Sequence, residues 1–130
     1  MVKFSEAVKN ARANATESAF GASPVMEIRS GAAPADVTTA DSGDLLVSIQ
    51  LPADWLTAAA AGVVNKSGAW SAAASTAGTA GHFRIKQGAT CHMQGSVSAT
   101  GGGGDLQLVN TSIAAGQNVS IDSASITENY

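Results

Sequence analysis

Past Pro24 the chain alternates apolar and polar residues in short runs, "VMEIRS", "LLVSIQL", "HFRIKQ", "HMQGSVSAT", "DLQLVN" and "NVSIDSASIT", separated by clusters of Gly, Pro, Asp and Asn. A period of two puts every second side chain on the same face of a strand, so such runs have one dry and one wet face. Short strands joined by turn residues predict a mainly β fold, an antiparallel β-sandwich or jelly-roll-like barrel, and speak against a parallel α/β sheet. In the last run Val119 and Ile121 share a face, with Ser120, Asp122 and Thr127 at solvent-facing or edge positions.

Ahead of this body, residues 5–20 read as one N-terminal α-helix. Ser5 is placed to cap it, Val8, Ala11, Ala15 and Ala19 recur at helical spacing as a narrow buried stripe, and Gly21 followed by Pro24 stops it. A short helix with an alanine face is marginal without tertiary packing. The segment is therefore laid on the domain or used as an arm on a neighbour, which divides the chain into a helical arm, 1–23, and a β-sandwich body, 24–130.

A length of 130 residues fits one compact domain. Of the 45% hydrophobic residues 26 are Ala and aromatics are only 5%, so the core is thin. A thin core removes little apolar area from water, and stability is expected to come from neighbouring copies or a larger partner. Trp55 and Trp70 are the largest apolar groups and lie in a stretch of small residues, 52–81, that reads as a long crossover. Within it Asp54 is placed to cap one helical turn that Gly62 would stop. The two tryptophans are expected to plug the core or a subunit interface, with ligand stacking as the lesser alternative.

Several chemistries are disfavoured by what is missing. Glycines 101–104 are followed by Asp105 and a strand-like "LQL", with no Lys–Ser/Thr pair and no helix to receive a phosphate, so they read as a turn. Seven basic residues are scattered against ten acidic ones, net −3, which leaves no stripe for nucleic acid. His82, Cys91 and His92 fall short of a structural zinc set, no G-x-S-x-G elbow occurs, and Asp36, Asp41, Asp44 and Asp54 sit where turns or caps explain them. One cysteine makes no internal disulfide, no apolar run is long enough for a membrane span, and no signal peptide is visible. The sequons at Asn14, Asn65, Asn110 and Asn118 read as accidents of composition. No enzyme, cofactor or metal is expected.

Three blocks, "DSGDLLVSIQLPADW", "SGAWSAAASTAGTAGHFRI" and "TCHMQGSVSATGGGGDLQLVNTSIAAGQNVSI", together resemble a small structural protein encoded in many tailed-bacteriophage and prophage genomes. The resemblance covers most of the chain after Pro24 and implies a virion component assembled in the host cytoplasm, with no catalytic residues. Combined with the composition, it leads to the expectation of a capsid decoration, or cement, protein on the major capsid protein, with a trimer favoured. Phe4, Val8 and Phe20 are then the arm that grips the shell or a sister subunit, and Trp55 and Trp70 build the oligomer. The alternatives are a collar, head–tail connector or tail decoration protein, or a carbohydrate-binding head fibre stacking sugars on Trp55, Trp70 or Tyr130.

Overall fold

The computed structural model describes residues 2–127. One helix, α1 (Glu6–Phe20), precedes ten strands: β1 (Val25–Ser30), β2 (Leu45–Gln50), β3 (Val63–Asn65), β4 (Ser71–Ala73), β5 (Gly78–Gln87), β6 (Thr90–Ala99), β7 (Leu106–Leu108), β8 (Ser112–Ile113), β9 (Asn118–Ser120) and β10 (Ser125–Thr127). The mainly β body with one N-terminal helix is as the alternation predicts. Its main sheet runs β2-β1-β5-β6-β7 and curls into a half-barrel, with β8 added to one end of β5 and two small ribbons, β3–β10 and β4–β9, lying against it.

Alternation sorts the sheet into two faces. Met26, Ile28, Val47, Ile49, Phe83 and Ile85 point one way and are at most 6% exposed, forming the floor of the core. Trp55 and Trp70, from the crossover between β2 and β4, close over this floor with ring centroids 6.0 Å apart. Their indole N–H groups donate to Gly21 O at 3.3 Å and Ser67 O at 3.1 Å, so both tryptophans are buried without a polar penalty. Val119 and Ile121 join the same core, and Ser120 and Asp122 face out.

The other face carries Glu27, Arg29, His82, Arg84 and Lys86, and it is covered rather than wet. Residues 31–44, the connection from β1 to β2, lie across it as a strap. Gly81 allows the close crossing, because a Cβ there would come within 2.2 Å of Gly31 O.

Two local arrangements depart from the expected ones. The stretch after Trp55 is not a helical turn but a tight hairpin, in which Ala60 and Val63 exchange both backbone hydrogen bonds at 3.0 and 2.9 Å. Its central residues Ala61 and Gly62 have φ of 52° and 76°, the left-handed pair that a two-residue hairpin of this hand demands. The second departure is β7, which pairs with β6 in parallel, Val97 to Leu106 through Ala99 to Leu108. Parallel neighbours ordinarily need a connection of about a dozen residues or more. Residues 100–105 manage the return because the glycines fold flat against Ser98: a Cβ on Gly102 would lie 2.8 Å from Ser98 Oγ, and one on Gly104 2.7 Å from Ser98 N.

Candidate docking surface

The helix begins where Ser5 Oγ accepts from Val8 N at 3.3 Å and ends at Gly21, φ 85°, whose N–H donates to Glu17 O at 3.0 Å. Its limits are thus those read from the sequence. Its orientation is not. Val8, Ala11, Ala15 and Ala19, expected as the buried stripe, are all exposed, and the buried residues are Ala13 and Phe20. Around these two, the face turned to the body carries polar side chains. Asn10 Oδ1 accepts from Gly62 N at 2.7 Å, Asn14 Oδ1 from Ala59 N at 2.8 Å and Glu17 Oε1 from Trp55 N at 3.1 Å.

Positions 10, 14 and 17 have the spacing of one helix face, and each satisfies a backbone donor of the crossover. The balance of energies favours this choice. Burying an alanine methyl gains about 0.8 kcal/mol, whereas a buried N–H left without a partner costs about 1–3 kcal/mol. Phe20 completes the contact at the C-terminal end, stacked at a tilt on Trp55 with 5.2 Å between centroids and on His92 at 5.1 Å.

The helix is therefore inside out, with polar groups toward its own domain and Val8 and three alanines toward solvent. Among the described residues the exposed large hydrophobics are Val2, Phe4, Val8 and Val109, so three of the four lie at this one end of the chain. The guanidinium of Arg12 rests 5.2 Å from the Phe4 ring centroid. Beneath the C-terminal half of the helix a depression of about 540 Å³ is lined by Asn14, Glu17, Gly21, Asp54 and Thr57, among others. Burial, with the neighbouring Asp54 carboxylate, pushes the Glu17 carboxyl above its usual range.

Of the residues expected at an interface, Phe4 and Val8 lie on the outer surface, and Phe20, Trp55 and Trp70 are built into this chain's own core. Trp55 and Trp70 are 0% and 2% exposed, which leaves no free ring face for a sugar; Tyr130 lies outside the described residues. The strap is the feature that the sequence reading missed. His82 Nδ1 donates to Gly31 O (2.9 Å), Gln94 Nε2 to Pro34 O (2.7 Å), and Arg84 to Val37 O (2.8 Å), Thr39 O (3.0 Å) and Asp41 Oδ1 (2.7 Å).

Asp41 also meets Lys86 at 2.6 Å and Arg29 at 3.2 Å, and Glu27 pairs with Arg29 at 2.9 Å and Lys86 at 3.0 Å. The hydrogen bond from Lys86, with the charges of Arg29, Lys86 and Arg84, holds the Asp41 carboxyl below its usual range despite some burial. The cue was "EIR" and "FRIK", which put complementary charges on one face of two paired strands.

The remaining chemical candidates are occupied structurally. Cys91 Sγ accepts from Arg84 Nε at 3.2 Å, and no group of three metal-binding side chains occurs among the described residues. The N–H groups of Gly101, Gly102 and Gly104 donate to Gln107 Oε1, Ala99 O and Ser98 Oγ, so the loop offers no converging donors to a phosphate. Among the described residues no helix is long and apolar enough to cross a membrane. Compared with protein-family models, curated proteins and solved structures, the chain matches none.

Proposed function

We propose that this chain is a structural protein that docks onto a larger assembly through the outward face of α1, with Val8, Ala11, Ala15 and Ala19 as the contact. The observation that carries the reading is the inversion of the helix, which leaves Val8 and three alanines on the surface around Arg12 while polar side chains face the domain. An apolar stripe exposed in this way suits burial by a partner. On the resemblance of three sequence blocks to tailed-phage virion proteins, the proposed partner is the major capsid protein and the proposed role that of a head decoration protein, as a trimer on the shell. Repetition would supply the affinity that one narrow stripe lacks.

The test is the copy number and position of the chain in purified particles, by quantitative gel and particle imaging. A number comparable to the major capsid protein, with density on the shell, is expected. A few copies at a vertex or along the tail would replace decoration by a collar, connector or tail role, and absence from particles would overturn the virion reading.

A further inference from the structure

The curled sheet stops at β7, and its last edge is open. Leu106 and Leu108, both 3% exposed, turn inward, and Gln107 turns outward. Leu108 O accepts from Thr100 N at 2.9 Å, which in a parallel ladder assigns the Leu106 and Leu108 hydrogen bonds to β6 and leaves the N–H and C=O of Gln107 on the open side. Two grooves of about 310 and 270 Å³ follow each other along this side, between residues 104–110 and residues 117–125. Asp105 and Asp122 line them, and no lysine or arginine does. An apolar hollow of about 340 Å³ shares Asp105, Ala124 and Ser125 with the first groove and is floored by Met93, Phe83 and Ile126. Such an edge is a template for an added strand that carries apolar side chains inward and a basic one outward.

The chain itself contains that segment. Residues 2–4, Val-Lys-Phe, lie outside α1 without regular structure and are all exposed, Val2 at 67% and Phe4 at 43%. Their apolar–basic–apolar order matches the Leu–Gln–Leu of β7 position for position. Three extended residues span about 10 Å, the length of a three-residue strand. We propose that the β7 edge takes residues 2–4 of a second copy as an added strand. Val2 and Phe4 sit over the apolar hollow, the backbone pairs with Gln107, and Lys3 faces outward toward the Asp122 side.

Because arm and edge are different surfaces, the contact is head-to-tail and closes into a ring or runs on as a filament. It involves neither Val8 nor the alanine face of α1. It is read on purified protein without particles, so its failure and that of shell docking are separate results.

The experiment measures the mass of the full-length protein in solution by sedimentation velocity over a wide concentration range. Compared with it are an arm variant, Val2→Asp with Phe4→Asp, and an edge variant, Gln107→Pro, which removes the outward N–H. The wild type is expected to self-associate, more weakly in high salt. Each variant alone is expected to associate about tenfold more weakly or worse, as for the loss of a backbone hydrogen bond and its flanking contacts. The two variants mixed are expected to form one-to-one pairs and nothing larger, since one intact arm and one intact edge remain between them.

Should Gln107→Pro fail to fold, Asp122→Lys keeps the ladder with β6 and sets a like charge near Lys3, with the same expected loss. A wild type that stays monomeric at every concentration, variants that associate like the wild type, or a mixture with no pairs would each overturn the proposal.

Discussion

The strap over the charged face and the helix over the crossover are held by the same kind of bond in opposite senses. The strap presents backbone carbonyls, at Gly31, Pro34, Val37 and Thr39, to side-chain donors rising from the sheet. The crossover presents backbone N–H groups, at Trp55, Ala59 and Gly62, to side-chain acceptors descending from α1. Both show how a chain with few large apolar residues orders segments that have no regular pairing of their own. Polar side chains take the place of a second sheet. The cost of this solution is dependence on single residues, and the two regions differ in how concentrated that dependence is. Arg84 alone makes three contacts to the strap, whereas the helix spreads its three over three residues.

The largest expected effect follows from that concentration. Arg84→Met keeps the bulk but strands two strap carbonyls and removes one of the three cations around Asp41, and should destabilise by about 3 kcal/mol in thermal or urea unfolding. A loss no greater than for Asn10→Ala would mean that the strap is held by something other than Arg84.

Acid should separate the two regions by sign. Asp41 has a lowered pKa in the fold, so its contribution is present above the ordinary carboxylate range and is lost as pH falls through the lowered value. Glu17 has a raised pKa, so its contribution is present below the ordinary range and is lost as pH rises through the raised value. The stability lost on Asp41→Asn should therefore shrink as pH falls, while that lost on Glu17→Gln should shrink as pH rises, in thermal unfolding across pH. Parallel behaviour of the two variants would contradict the assignment. Glu17→Gln, which keeps an acceptor for Trp55 N and removes the charge facing Asp54, should remove the helix's share of this pH dependence.

A smaller effect lies in the hairpin that supplies the Gly62 N–H. Ala61 is held at φ 52°, where a Cβ is disfavoured, so Ala61→Gly should stabilise by about 0.5–1 kcal/mol, and a loss would mean that the turn is of another type.

Much of this was legible beforehand, for identifiable reasons. The strands show because alternation is a local pattern, the helix limits because Ser5 and Gly21 act on their own neighbours, and the tryptophans because their size leaves few places for them. The helix face was misread because alanines at helical spacing look like a buried stripe, and only the crossover's unpaired N–H groups, set by tertiary structure, turn Asn10, Asn14 and Glu17 inward. The hairpin hid behind alanines that carry no turn signal, and the parallel return of β7 behind glycines whose value lies in contact with Ser98. That Val8 meets a partner was expected from the sequence, whereas the presence of Ala11, Ala15 and Ala19 beside it on the outer face depends on the helix's orientation, which no local pattern sets.

That orientation is the central claim, and thermal unfolding of two single variants of α1 tests it most directly. Asn10→Ala should cost about 1 kcal/mol, because it strands the buried Gly62 N–H, while Val8→Glu, on the outer face, should leave stability within about 0.5 kcal/mol of the wild type. The reverse, a costly Val8→Glu and a neutral Asn10→Ala, would mean that the alanine stripe faces the domain and that no apolar helix face is offered to a partner.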